Sequence, residues 1–244
     1  MQYLNARPLI CSYPGKLTLA HPSELARKMR EGTIDVALVP VYEALNRPGW
    51  PIADNVAIAA WGPVYSVYLA SRVPIEKMTR VVLDPASVTS VNLVRCILEE
   101  FYGISPEYLA APEREDDSRL LIGNHAIEFR QRERDRWIYY DLGEEWRKFT
   151  GLPFVFAVWL IGLAVSEPQL VADELRLLKI LGLSRIETIC ASLDPSRQDF
   201  CREYLTRYIR FDLGEFEKEG LGRFRELLVR RGQLTASSRP LWFV

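Results

Sequence analysis

Histidine is almost missing from this chain: His21 and His125 are the only two among 244 residues. Zinc-type sites draw on histidine and thiolate, and a Ser-His-Asp triad needs a partnered histidine, so both have little material here. Cysteine is as sparse. Cys11, Cys96, Cys190 and Cys201 form no CxxC pair, which argues against a metal knuckle or a disulfide framework and for reduced thiols in a cytosolic protein. The longest apolar run spans only Phe154 to Val165, well short of the roughly 20 residues that cross a bilayer. Residues 1–20 do not read as a secretory leader, because Arg7, Pro8, Pro14 and Lys16 interrupt any apolar core. Charge of one sign is not in excess either: 31 Lys and Arg face 32 Asp and Glu. That balance gives no support to a nucleic-acid or membrane-surface partner. The phosphate loops GxGxxG and GxxxxGK[ST] are absent as well.

What is present is a full apolar complement, 48% against 26% charged, enough for a large core. Helical and strand patterns alternate, which predicts an α/β layer architecture. Ser23 to Glu31 reads as a helix closed by Gly32. Thr33 to Val39 (TIDVALV) is apolar almost throughout and predicts a strand buried on both faces, as in a parallel sheet. Val56 to Trp61 and Val64 to Ser71 read as strands broken at Gly62-Pro63. Arg80 to Leu83 is a further strand, followed by a helix from Val88 to Tyr102 with Val94, Ile97, Leu98 and Phe101 as its buried stripe. Leu120 to Ile122, Trp137 to Leu142 and Pro153 to Trp159 complete the strands, with a short helix at Glu144 to Phe149. Beyond Glu167 the chain is mainly helical to Arg231, and the apolar tail Arg239 to Val244 is expected to pack back on the body. Residues 65–152 form a βαβ region between stretches of different character. Chain crossings near Gly62–Ser66 and Gly151–Phe154 predict two lobes, residues 1–64 with 155–244 and residues 65–154, and small ligands bind in such clefts.

Asp84-Pro-Ala-Ser-Val-Thr-Ser90 ends a strand and opens a helix. Its hydroxyls, Ser87, Thr89 and Ser90, surround free backbone N–H groups that attract a carboxylate or phosphate; plain capping by Ser87 is the simpler reading. In Tyr3-Leu-Asn-Ala-Arg-Pro-Leu9, Asn5 and Arg7 fall where a strand gives way to a loop. Asn5 can bond a ligand oxygen or close an Asx-turn, and local pattern does not separate the two. Ser66 interrupts an apolar strand at a crossing, as a ligand contact or a core hydroxyl. Asn124 and His125 follow a strand end, the usual ligand edge of an α/β sheet; His125 has no visible partner. Arg130 to Arg136 interleaves acids and reads as a solvated face. Phe154 to Trp159 with Trp146 can wall a ring pocket or serve as a core strand.

The segments YLNARPL, PSELA…GTIDVALVPVYE, GPVYSVYLASR, LDPASVTSVNL, LLIGNHAI and YDLGEEWRKFTGLPFVFAVW occur in this order. Together they resemble the chorismate dehydratase family of menaquinone biosynthesis, the first committed enzyme of the futalosine route. The resemblance runs from Tyr3 to about Trp159 and continues more weakly through the helical remainder. It implies a two-lobed type II periplasmic-binding-protein-like α/β fold with a ligand cleft between the lobes. The implied reaction is loss of water from chorismate to give 3-[(1-carboxyvinyl)oxy]benzoate. No metal or organic cofactor is expected, the partner is a small dianionic substrate, and the oligomeric state is open. Asn5 and Ser66 are expected to orient the substrate and stabilise developing charge. Arg7, Ser87, Thr89, Ser90, Gly123, Asn124 and Phe154 are the expected substrate contacts.

Three departures from the family pattern stand out. Met1-Gln2 directly precede Tyr3 where members carry a further strand segment, so the expectation is that either the start is misassigned or the first, central strand of the lobe is cut short. Asn124 stands where Asp is usual, and Val88 where Arg is common. Three alternatives stay open: the sister 1,4-dihydroxy-6-naphthoate synthase, a solute-binding or ligand-sensing protein of the same fold, and an inactive paralogue.

Overall fold

The computed structural model describes residues 3–20, 22–85, 87–237 and 239–244. His21 and Ala86, both in segments discussed above, lie outside the described residues. A 3₁₀ turn, Leu4–Ala6, runs into α1 (Arg7–Ile10), and α2 (Pro22–Arg30), β1 (Val36–Pro40), α3 (Val41–Leu45) and β2 (Pro51–Ala60) follow. Next come β3 (Val67–Ser71), β4 (Arg80–Val82) and α4 (Val88–Arg95), which continues as a π-helical turn, Cys96–Phe101. Then follow β5 (Glu107–Leu109), β6 (Ser118–Ile122), α5 (Gly123–Arg132), β7 (Ile138–Asp141), α6 (Leu142–Thr150) and β8 (Phe154–Ile161). The rest is α7 (Pro168–Leu183), α8 (Ile186–Ala191), α9 (Pro195–Glu203), a π-helical turn Tyr204–Tyr208, α10 (Glu215–Arg230) and β9 (Trp242–Phe243). Among the described residues, no helix is long and apolar enough to cross a membrane.

Two sheets organise the chain. One has the order β1-β8-β2-β9, the other β5-β4-β6-β3-β7. β8 lies inside the first sheet and is buried at every position but Phe156, which explains its unbroken apolar run. The expected parallel setting of Thr33–Val39 is corrected: β1 runs antiparallel to β8, Val36 opposite Ile161 and Val39 opposite Val158. An apolar run reports that both faces are covered, here by α2 on β1 and α7 on β2, and carries no information on strand direction. In the second sheet β4 pairs parallel with both β5 and β6, so β4-α4-β5 is the βαβ unit that the alternation predicts. The tail does return: β9 pairs with β2, and Val244 N donates to Ile52 O at 3.0 Å.

Local expectations hold unevenly. Ser87 caps α4, accepting from Ser90 N at 3.1 Å. The predicted helix to Tyr102 loses α geometry after Arg95, yet Val94, Ile97 and Leu98 stay fully buried. The strand expected from Val64 begins only at Val67, because residues 64–66 turn sharply. Asn5 and Arg7 are helical, not at a strand end; Pro8 fits a first helical turn, where its missing N–H costs nothing. One apolar core runs through both sheets, and an aromatic cluster in it packs α6 and α10 on β8. Trp146 meets Phe154 at 5.2 Å and Phe154 meets Phe224 at 4.9 Å between ring centroids, and Trp146 Nε1 donates to Pro153 O at 3.2 Å. Phe154 is 1% exposed and belongs to this cluster.

Candidate functional site

A small cavity of about 60 Å³ is lined by residues from both sheets. Its wall takes Tyr3 and Asn5 from the start of the chain, Pro40, Ile58, Phe156 and Ala157 from the first sheet, Val67 and Ile122 from the second, Ser66 from the turn before β3 and Gly123 from the start of α5. Ser87 and Ser90 bring the start of α4 to the same space. None of these lining residues is charged.

Asn5, Ser66, Ser87, Ser90 and Gly123, separated by as much as half the chain, therefore converge on one cavity. The carbonyl oxygen of Asn5 is buried and has no hydrogen-bond partner among the described residues. A buried unsatisfied acceptor costs about 1–3 kcal/mol, so a ligand donor there would recover free energy. The Asx-turn reading of Asn5 has no support in this geometry. Ser66 is 1% exposed and held at three points. Its N–H donates to Val64 O at 2.8 Å, its carbonyl accepts from Gly123 N at 2.8 Å, and its hydroxyl meets the Tyr204 hydroxyl at 2.7 Å. Burial pushes the Tyr204 phenol well above its ordinary range, while the hydrogen bond with Ser66 pulls it back. Tyr204 is thus neutral and supplies a hydroxyl dipole. Tyr3 is raised in the same direction, by burial and then by the charge of Asp84.

Gly123 lies close to Tyr3. A Cβ there would stand 2.8 Å from the Tyr3 ring, and the backbone has φ +61°, so only glycine fits without strain.

The remaining expected contacts do not line the cavity. Arg7 is exposed and its guanidinium donates to Ser192 Oγ at 3.4 Å. Thr89 is buried, its hydroxyl accepting from Tyr42 N at 3.1 Å. Asn124 accepts from Leu4 N at 3.3 Å, a tie from α5 to the first helical turn. Phe156 lines the cavity and Phe154 does not: the two point to the same face of β8, their rings 4.8 Å apart, but Phe154 is covered by Trp146 and Phe224 in the aromatic cluster. His125 is exposed. Tyr204 is the residue that sequence reasoning missed: it lies in a helical stretch with no motif, and only the fold brings it to Ser66. No group of three or more His, Cys, Asp or Glu that could hold a metal ion occurs among the described residues.

Comparison with known proteins follows the same lines. A sequence model of the family described as menaquinone biosynthesis matches residues 1–230. A chorismate dehydratase of Thermus thermophilus is 30% identical over 239 residues, covering 86% of this chain and 85% of the relative. A chorismate dehydratase of Campylobacter jejuni is 27% identical over 157 residues, 64% of this chain and 58% of the relative. Among solved structures, a protein from Archaeoglobus fulgidus superposes with TM-score 0.71 at 14% identity, covering 95% of this chain and 96% of that one. The periplasmic aliphatic sulphonate binding protein of Escherichia coli superposes with TM-score 0.58, also at 14% identity, covering 89% and 81%. The fold is that of the periplasmic solute-binding proteins, and on the match to 1–230 and the 30% identity the chain belongs to the menaquinone-biosynthesis family.

Proposed function

We propose that this chain is an enzyme, a carbon–oxygen lyase that removes water from chorismate to form 3-[(1-carboxyvinyl)oxy]benzoate for menaquinone biosynthesis. The observation that carries the reading is the meeting of Asn5 and Ser66 at one cavity, with the Asn5 carbonyl buried and unpartnered. The names of the two relatives point to the same substrate. We assign residues 1–64 with 155–244 to one lobe and 65–154 to the other, with the substrate between them.

The chemistry asks little of the protein as a base. The C3–H electron pair becomes a ring π bond, the C4–O bond breaks, and hydroxide leaves with the proton as water; the product ring is aromatic, which supplies driving force. We assign the proton to the substrate's own enolpyruvyl carboxylate. Among the described residues none that lines the cavity is charged, so the site offers dipoles: the Asn5 amide, the Ser66 hydroxyl backed by Tyr204, and the donors around Ser87 and Ser90. Such fixed dipoles position the substrate and stabilise charge as it develops. The start of α4 suits one carboxylate of the dianion. Arg7, Thr89, Asn124 and Phe154 serve this scheme only from outside the cavity. We place the enzyme in the cytosol, where its free cysteines match a reducing compartment.

A cavity of about 60 Å³ is smaller than the roughly 150 Å³ that holds benzene in an engineered core. We assign the admission of the substrate to a parting of the lobes around this space. The test is turnover of chorismate by Asn5→Ala and Ser66→Ala, each checked for native circular dichroism. A loss of about a hundredfold or more in each is expected, the scale of a removed oxyanion donor; wild-type turnover in both folded variants refutes the assignment. Tight chorismate binding by the wild-type chain without product supports the ligand-sensing alternative instead. Conversion of the cyclic futalosine derivative with no action on chorismate supports the sister synthase.

A further inference from the structure

The turn that delivers Ser66 to the cavity bends its central residue, Tyr65, against its preference. Tyr65 has φ +65°, a left-handed conformation that costs a non-glycine residue roughly 1–2 kcal/mol. Asn55 also has a positive φ, and asparagine adopts it readily; a tyrosine does not. Ser66 N donates back to Val64 O at 2.8 Å, closing a three-residue turn of the rare, strained hand. Strain of this kind persists only where its surroundings over-determine it.

What over-determines it is Asp141. Its Oδ1 accepts from Val64 N at 2.9 Å and its Oδ2 from Tyr65 N at 2.6 Å. Oδ1 also accepts from Gly143 N at 3.0 Å and Glu144 N at 3.3 Å, capping α6. One buried carboxylate, 3% exposed, thus ties the strained turn to the first turn of a helix. The approach is close: a Cβ on Gly143 would collide with the carbonyl oxygen of Gly62. The Tyr65 ring is fixed from the other side, with the Arg130 guanidinium 4.5 Å from its centroid and Phe200 and Tyr208 at 4.9 and 5.3 Å.

We propose that Asp141 is a positioning residue for the Ser66 hydroxyl, its carboxylate holding two successive backbone N–H groups of the Val64–Tyr65–Ser66 turn. The inference rests on the reading of Ser66 as a substrate-facing group. A cap alone does not require a carboxylate here, since Ser or Asn caps a helix as well without burying a charge. Two oxygens are needed because the turn donates to both. The groups that face the carboxylate are the four N–H donors, Arg130 from α5 and the Tyr204 phenol.

The test is a double-mutant cycle in the full chain. Asp141→Asn keeps one oxygen for the cap, but its NH2 group faces the Tyr65 N–H, donor against donor. Asp141→Ser keeps a capping hydroxyl that is too short for the turn, and stands in if the first variant does not fold. The expected result is a kcat lowered roughly ten- to a hundredfold, the cost of a misplaced catalytic contact, with KM within about twofold. In a Ser66→Ala background the same substitution changes kcat by no more than about twofold. An equal loss in both backgrounds overturns the inference, because a merely structural role does not depend on Ser66. Wild-type kcat in Asp141→Asn beside an impaired Ser66→Ala overturns this inference alone, whereas wild-type kcat in Ser66→Ala overturns the site reading and this inference with it. A check without variants follows the Val64 and Tyr65 amide signals by NMR as the pH is lowered. They are expected to titrate with kcat at one midpoint, and amides that titrate while kcat stays flat contradict the proposal.

Discussion

Replacing Gly123 with alanine separates two costs that usually arrive together. The backbone cost comes from φ +61°, roughly 1–2 kcal/mol for a residue with a Cβ. The packing cost comes from Tyr3, whose ring atoms Cε1, Cδ1 and Cζ lie 2.8, 3.0 and 3.2 Å from the new Cβ. Carbon contacts settle near 3.5–4.0 Å, so the ring must retreat by about 0.7 Å, and such overpacking costs roughly 1–3 kcal/mol. Gly103 is the control: its φ is +66° and nothing lies within 4 Å of its Cβ position. Gly103→Ala therefore bears only the backbone cost. At about 2–4 °C per kcal/mol for a chain of this size, it should lower Tm by roughly 2–8 °C and leave chorismate turnover unchanged. Gly123→Ala should fall further by about another 1–3 kcal/mol and lose turnover, because Tyr3 lines the cavity and Gly123 N holds the Ser66 carbonyl. Thermal unfolding by circular dichroism and a turnover assay on both variants decide it. Equal Tm values with wild-type turnover in both would refute the packing argument at this site.

Three further outcomes are expected. Tyr204→Phe leaves the buried Ser66 hydroxyl without its 2.7 Å partner, so unfolding by urea should show a loss of about 1–3 kcal/mol; an unchanged midpoint contradicts the bond. Burial pushes the Asp141 carboxyl up to about 6 from its ordinary 3.8, against its N–H donors and Arg130, so the fold favours its neutral form. At about 1.4 kcal/mol per pH unit, its stabilising contribution is fully present below 3.8 and about 3 kcal/mol is lost as pH rises through about 6. The stability of the wild type relative to Asp141→Asn should fall across that range, while kcat rises as the carboxylate forms; a flat difference refutes the assignment. Finally, Cys11 is exposed whereas Cys96, Cys190 and Cys201 are buried, and burial pushes Cys96 and Cys201 up to about 12. A thiol reagent should label one site in the native chain, lost in Cys11→Ser, and rapid labelling of that variant contradicts the packing.

Local chemistry was legible where neighbours in sequence decide it. The Ser87 cap needs only Ser90, three residues on, and the Gly32 stop needs only a left-handed φ, observed at +65°. Strand direction was not legible, since TIDVALV is equally apolar beside an antiparallel partner. Asn5 was misread as a strand end because YLN is short and carries no helical period; the Pro8 that follows was the available signal. The wall of the cavity was partly legible: local pattern singled out Asn5, Ser66, Ser87 and Ser90 as ligand contacts with plainer alternatives beside them, and the family resemblance chose between the two and added Gly123. Arg7 was expected there on charge alone, and its neighbour in space is Ser192, a contact no local pattern contains. Tyr204 and Asp141 reach Ser66 and Tyr65 across the fold, so their bonds exist only once the two sheets are assembled.

The central claim is that a neutral cavity with Asn5 and Ser66 in its wall dehydrates a dianion without a protein base. Incubating the purified chain with chorismate and weighing the products by mass spectrometry tests it most directly. The expected product is lighter than chorismate by one water, with the enolpyruvyl group retained on an aromatic ring. Recovery of unchanged chorismate from folded, full-length protein would contradict it.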